Sequence, residues 1–305
     1  MFSRAALYFD EVARRGSIRR ASESLNIAAS AVDRQILLLE DSLGAPLFER
    51  LPQGVRLTAA GEALADGIRR WQRDFARIKT RIDDLRGLRR GEISLAFVEG
   101  ATEFVSRALR QFQEKYPSIV FHLKVAGARE IVDLVLKGEV ELGLTFNAPK
   151  HDTLRVERTQ TYPLGAAVRP DHPLAGRQEI ALDECADYPL IIPDENLSLR
   201  SVFDAGWAKC VGTPPALMSV VDSINVMKSM VRCGMGVAIL TEINIYQEID
   251  SGELVFVKFS DDKIPLSFFS LLSANNRHLS VPSSLLLQHL STVMTDEPRL
   301  SEATV

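Results

Sequence analysis

The sequence predicts an α/β chain in three parts: a small helical module with a two-stranded appendage, one long helix, and a two-lobed, doubly wound body. Three observations predict it. Residues 17–43 read as two short helices joined by a tight turn. The apolar residues between 64 and 85 recur at alternating spacings of 4 and 3. From residue 91 onward, strand and helix patterns alternate, and the alternation occurs twice. A chain of 305 residues has room for two or three such units.

Composition narrows the class. The chain is 46% hydrophobic and 25% charged, as in an ordinary soluble protein, and no apolar run approaches the roughly 18 residues of a membrane span. The N-terminus is polar and amphipathic, so no secretory leader and a cytoplasmic location are expected. Cys185, Cys210 and Cys233 are odd in number and widely spaced, which fits reduced thiols. The net charge of −4 hides an asymmetry: residues 1–90 carry +5 and the remainder −9. Sixteen of the 17 basic residues in the first 90 are arginine, the side chain suited to phosphate and guanine. The front of the chain is a candidate polyanion binder.

Residues 3–14 place Ala6, Leu7, Phe9, Val12 and Ala13 as on an amphipathic helix. Gly16-Ser17 stops that helix, and the Ser17 hydroxyl can cap the next. Ala21, Leu25 and Ile27 supply core, and Asn26 suits the turn because it tolerates the left-handed conformation. In the following helix Val32, Ile36, Leu39 and Leu43 share the face expected to be buried. Ser30, Arg34 and Leu37 point away, with Ala31, Asp33 and Leu38 more obliquely. Such a helix can enter a DNA major groove, where Arg34 would read a base or hold a phosphate; the alternative is a solvated surface arginine. Ser17, Arg19 and Arg20 lie at the start of the preceding helix, beside the expected DNA backbone. Phe48 to Leu57 looks like two strands around a Pro/Gly turn, a wing offering Arg50 and Arg56 to the backbone or minor groove.

Thr58 can cap a long helix running to about Leu88. Its apolar residues Leu64, Ile68, Trp71, Phe75, Ile78, Ile82 and Leu85 form a heptad seam. A seam can be the core stripe of a globular domain; on a polar-backed helix between two domains it fits pairing with a second copy, giving a coiled-coil homodimer. Residues 87–91 mark a hinge. The expected boundaries are 1–58 for the winged helix-turn-helix, 59–90 for the linker helix and 91–305 for the body.

Several residues in these segments occur together in one family. Gly16-Ser17, Ala21, Leu25, Ser30-Ala31-Val32, Arg34-Gln35-Ile36, Leu39-Glu40, Leu43-Gly44, Leu47-Phe48-Glu49-Arg50 and Leu57-Thr58 with Ala60-Gly61 resemble LysR-type transcriptional regulators. The resemblance implies a winged helix-turn-helix, a linker-helix coiled coil and a two-lobed, periplasmic-binding-protein-like effector domain. It also implies a dimer or a tetramer built as a dimer of dimers, an operator in double-stranded DNA, a small-molecule co-inducer in place of any cofactor, and RNA polymerase as a further candidate partner. Three positions depart from the family pattern. Ala28 removes a likely helix cap, worth about 1 kcal/mol. Ala29 removes a base contact. Asp33 sets a carboxylate near phosphates, tolerable if it accepts a cytosine amino group or pairs with Arg34 or Arg56. Leu37 can meet a thymine methyl or pack on the protein.

In the body, strands are expected at 93–98, 119–125 and 142–146 with helices at 105–116 and 131–137, the first lobe (91–161 and 267–296). The pattern repeats through 164–168, 190–192, 198–209, 217–221, 224–233 and 237–240, the second lobe (162–266), with crossover strands near 146–163 and 262–272. A helix at 283–294 should return to the first lobe. Ligands in such folds sit at strand carboxyl ends near helix N-termini. Four loops qualify: Glu99, Gly100, Ala101 and Thr102; Gly127, Ala128 and Arg129; Asn196 and Ser198 with Leu197 between; and Asp222 with Ser223. Each serine or threonine there can equally be a simple helix cap. Glu99 can hold a cation and Arg129 an anion, which hints at a carboxylate or amino-acid ligand; a mutual salt bridge, or Arg129 in solvent, is the plainer reading.

Three function classes compete: a ligand-responsive regulator, a solute-binding receptor without a DNA role, and an enzyme. There is no G-x-S-x-G, no P-loop and no metal-spaced His/Cys cluster, which argues against an enzyme and against a metal. His122 is expected to be a packed or surface histidine rather than a catalyst.

Overall fold

The computed structural model describes residues 4–85, 91–215, 218–275 and 277–296. It divides into two compact units, residues 1–79 and 80–305. The expected hinge at 87–90 lies outside the described residues.

In the first unit, α1 (Arg4–Arg15), α2 (Ile18–Leu25) and α3 (Ala29–Leu43) precede a hairpin of β1 (Phe48–Leu51) and β2 (Gly54–Leu57). The breaks follow local chemistry. Gly16 takes φ +64° after α1. Ser17 then caps α2, its hydroxyl accepting from the Arg20 N–H at 3.5 Å. Asn26 closes α2 at φ 53°, ψ 46°, the left-handed well open to asparagine. Ala28 opens α3 with no side-chain cap, as its methyl dictates. Phe9, Val12, Ala21, Val32 and Ile36 form the core. The buried strip of α3 is shorter than its pattern suggests. Val32 and Ile36 are enclosed and Leu39 is half-buried, but Leu43 is 52% exposed because the last turn of α3 overhangs the core.

Thr58 caps α4 (Ala59–Leu85), its hydroxyl accepting from the Gly61 N–H at 3.0 Å. The foot of α4 belongs to the module. Ala65 and Ile68 are fully buried in its core. Asp10, 3% exposed on α1, accepts from Arg14 and from the Gln72 amide at 3.2 Å. The seam is corrected accordingly: Ile68 is spent inside the module and Leu64 is half-buried there. Trp71, Phe75 and Ile78 remain 51–57% exposed, and the side chains of Ile82 and Leu85 lie outside the described residues.

The second unit holds two mixed sheets. The first comprises β3 (Gly91–Phe97), β4 (Ile119–Val125), β5 (Leu142–Phe146), β6 (Leu154–Tyr162) and the late β13 (Ser267–Ala274), in the order β4-β3-β5-β13-β6. The βαβ crossovers α5 (Thr102–Lys115) and α6 (Ala128–Lys137) make β3, β4 and β5 parallel. β13 runs antiparallel to both β5 and β6. The second sheet is ordered β10-β9-β11-β7-β12-β8. Its members are β7 (Leu164–Val168), β8 (Glu179–Ile180), β9 (Leu190–Pro193), β10 (Met218–Val221), β11 (Val237–Thr241) and β12 (Val255–Phe259). Between them run α7 (Leu199–Cys210), α8 (Ile224–Arg232) and α9 (Tyr246–Asp250). The elements β8, α9 and β12 were not expected from the sequence. α10 (Val281–Asp296) returns to the first sheet, burying Leu286, Leu290 and Met294, with His289 Nε2 2.9 Å from the Ala108 carbonyl on α5. Glu141 fixes its start by accepting from the Ser280 N–H at 2.9 Å and the Ser283 hydroxyl at 2.7 Å.

The three cysteines are free thiols. Burial pushes the Cys185 thiol up to about 12, which keeps it out of thiolate chemistry. His122 lies at the surface, 3.1 Å from Glu92. No helix among the described residues is long and apolar enough to cross a membrane.

Candidate functional site

The first unit presents one continuous solvent-exposed face on α3. Ser30, Ala31, Arg34, Leu37 and Leu38 of α3 are exposed along the side away from the core. Arg34 stands at its centre and takes part in none of the ion pairs found among the described residues. Arg20 is exposed at the start of α2, and Arg19 is exposed but paired with Glu23 at 3.2 Å. Ser17 is occupied as the α2 cap.

The wing stands next to this face, held by backbone geometry. β1 and β2 pair antiparallel from Phe48↔Leu57 to Leu51↔Gly54. The Val55 N–H donates to the Gly16 carbonyl at 2.9 Å. Gly54 has φ +147°, and a Cβ there would lie 2.3 Å from the Gly16 oxygen, so only glycine lets the wing close on the α1–α2 turn. At the other end the Glu40 carboxylate accepts from the Leu47 and Phe48 N–H groups at 2.7 and 3.2 Å. Sequence reasoning took Glu40 as a family match without seeing this role. Charge-assisted bonds of this kind contribute about 1.5–3 kcal/mol each. Glu40→Ala should therefore lower unfolding stability of the full chain by about 2 kcal/mol and weaken DNA binding through a loosened wing. Denaturant titration together with DNA anisotropy checks this, and wild-type values in both would remove the assigned role.

Electrostatics on this face differ from expectation. Asp33 pairs with neither Arg34 nor Arg56 but with Arg50, at 2.7 Å. Arg56 instead makes two bonds to one oxygen of Glu49, at 3.1 and 2.6 Å, across the register Glu49↔Arg56. That carboxylate raises the Arg56 guanidinium above its usual range. The reason is register: residues 49 and 56 face each other on the hairpin, while residue 50 points back toward α3. Both wing arginines are thus neutralised by the protein itself, and Arg34 is not.

The second unit contains a cavity of about 550 Å³ between the carboxyl ends of its two sheets, well within the size range of small-molecule sites. Loops after β3, β4, β9 and β10 line it. Of the expected residues, Glu99, Gly100, Thr102, Gly127, Ala128, Asn196, Ser198 and Asp222 line the cavity. Ala101 is fully buried outside the lining. Arg129 is exposed and does not line it, nor does it form an ion pair with Glu99. Ser223 caps α8, accepting from the Val226 N–H at 3.3 Å. The Thr102 hydroxyl donates to the Glu99 carbonyl at 2.6 Å. Of the apolar walls, Leu197 belongs to an expected loop, while Val98, Val125, Phe146, Leu199 and Ile224 went unread in the sequence because they look like strand ends and core. So did Asn225 and Asn244, which carry no distinguishing pattern.

Glu99 bridges the two sheets. Its carboxylate accepts from the Ser223 hydroxyl at 2.8 Å, the Ile224 N–H at 2.9 Å and the Asn225 amide at 3.0 Å, with the Asn225 N–H at 3.4 Å. All four donors belong to the start of α8. A second bridge runs from the Asn244 amide to the Gly100 carbonyl at 3.1 Å. A Cβ on Gly100 would lie 2.4 Å from that amide nitrogen, so this approach requires glycine. On the facing loop, backbone and side-chain N–H groups of Asn196 hold the Asp194 carboxyl below its usual range and fix the turn into Asn196-Leu197-Ser198.

Comparison with known proteins agrees with both halves of this picture. Residues 86–295 match the LysR substrate binding domain, and residues 3–62 match the bacterial regulatory helix-turn-helix protein, lysR family. The RuBisCO operon transcriptional regulator of Allochromatium vinosum is 28% identical over 81% of this chain and 82% of its own. Full-length CbnR complexed with its target DNA superposes at a TM-score of 0.70, with 21% identity over 96% of this chain and all of that one. The regulatory domain of Synechocystis PCC6803 CcmR, in complex with 2-PG, superposes at 0.58 with 24% identity, over 68% of this chain and all of that one.

Proposed function

The chain belongs to the LysR family of transcriptional regulators, and from that premise we propose that it binds its operator as a homodimer, through α3 and the wing, and takes a small organic effector into the cleft of its second unit. It is a regulator and not an enzyme. The observation that carries the DNA half is α3 itself: a helix with its apolar side in the core and Ser30, Arg34 and Leu37 exposed, flanked by a wing. Arg34 supplies direct contact. The wing arginines supply backbone contacts once DNA phosphate competes with their carboxylates. Leu37 offers an apolar surface to a thymine methyl.

The effector half rests on the cavity and on the two bonded bridges across it, Glu99 to α8 and Asn244 to Gly100. A ligand that favours one arrangement of the two lobes shifts the population of dimers, or of tetramers made from two dimers, competent for the operator. The same reading places the protein in the cytoplasm, with RNA polymerase as a partner at the promoter. A solute receptor without a DNA role leaves α3 and the wing without a task.

Fluorescence anisotropy on DNA flanking the protein's own gene tests the reading. Sequence-preferring binding whose affinity falls with salt is expected. Equal affinity for scrambled DNA across the salt range would count against it.

A further inference from the structure

The cleft has an unusual charge balance for its shape. Two carboxylates line it, Glu99 and Asp222, while among the described residues no lysine, arginine or histidine does. One anion seat beside the cavity, the start of α8, is already filled: Glu99 takes the hydroxyl, the backbone N–H groups and the side-chain amide that would hold a ligand's carboxylate or phosphate. An anion seated at the start of α8 would have to displace Glu99, break a bridge between the lobes, and leave a protein carboxylate in a cavity with no cation among its described lining residues.

The rest of the lining sets the complementary requirement. Val98, Val125, Phe146, Leu197, Leu199 and Ile224 offer apolar walls to a hydrocarbon or ring. The first turns of α6 and α7 border the cavity, and neither has a side-chain cap bond, so N–H groups there can donate to a ligand oxygen; it is the two lining carboxylates that favour a carbonyl or hydroxyl over a charged oxygen. Asp222 is exposed to the cavity and takes part in none of the ion pairs among the described residues; it suits an ammonium or amide N–H.

We propose that Glu99 acts as a built-in anion at the α8 N-terminus, and that the cleft therefore selects an organic effector without net negative charge: an amine or a neutral polar molecule with an apolar body. This rests on the cleft being the effector site. It replaces the pairing of Glu99 with Arg129 as the source of ligand charge preference, since Arg129 does not line the cavity.

Three probes with one ring and different heads test the proposal on the full chain: phenethylamine, phenylacetamide and phenylacetate, measured by thermal shift and calorimetry. In wild type the amine and the amide should bind at least about tenfold more tightly than the acid, from like-charge repulsion in a partly desolvated site. Glu99→Gln keeps the side chain's size and removes the anion, turning one of its two acceptor oxygens into a donor, and Asp222→Asn removes the other lining anion at an exposed position that forms no ion pair among the described residues. Either substitution should close the gap in favour of phenylacetate. Phenylacetate binding wild type as tightly as the amine overturns the proposal, as does a gap unchanged in both variants. Ala126→Trp fills the cavity. Binding of any probe that survives this change places it outside the cleft, a separate failure that removes the cleft as effector site.

Discussion

Arg34→Ala should weaken operator binding by about 1–3 kcal/mol per half-site, roughly 5- to 150-fold, and flatten the preference for the operator over scrambled DNA. The expectation follows from position and electrostatics together. Arg34 is the guanidinium at the middle of the exposed face of α3, and it forms none of the ion pairs found among the described residues. Asp33, one residue before it, is satisfied by Arg50 and so does not draw Arg34 aside. Asp33→Asn should behave in the opposite way. It frees Arg50 for phosphate, raises affinity for all sequences alike, and steepens the slope of log K against log salt by about one. The two substitutions together separate base reading from backbone holding. Arg34→Ala within twofold of wild type on operator DNA, with the Asp33→Asn salt slope unchanged, would move recognition away from the centre of α3.

That contrast also marks what the sequence could and could not convey. Ser17, Asn26, Thr58 and Ala28 behave as their local chemistry dictates, because a cap or a left-handed turn is decided within three or four residues. The strand and helix alternation of the body was legible for the same reason, each element being longer than the uncertainty of its ends. Pairings across the fold were not. Arg50 meets Asp33 across 17 residues of sequence, Glu99 meets α8 across more than 120, and which acid takes which arginine depends on a hairpin register of one residue. Glu99 was singled out as a carboxylate at a strand end, which the chemistry of the loop justified. Its partners became visible only when β10 and α8 were brought beside it. Leu43 and Ile68 show the same limit in packing. A periodic stripe says which face is apolar, while the neighbouring elements decide where along the helix that face is covered.

The exposed part of the α4 stripe carries the second large expectation. Trp71, Phe75 and Ile78 continue the spacing of Leu64 and Ile68 beyond the module's core, and each is more than half exposed. Large apolar side chains in a row on an otherwise charged helix are costly in water, and a second α4 in register would cover them with like residues. Trp71→Glu with Ile78→Glu should therefore raise the dimer dissociation constant by at least about 100-fold, some 3 kcal/mol, because each change is made twice per dimer and sets like charges face to face. Operator affinity should fall with it. A monomer engages one half-site, while the dimer's second head binds at an effective concentration fixed by the helix pair. Sedimentation at micromolar protein reads the first effect, and anisotropy on full and half operators reads the second. The folded module should survive, since the core of α4 lies at Ala65 and Ile68 and its tether to α1 runs through Gln72 and Asp10. A variant that still sediments as a dimer and still prefers the full operator would place the self-association surface elsewhere. The exposed stripe would then have to be covered by something other than a second α4.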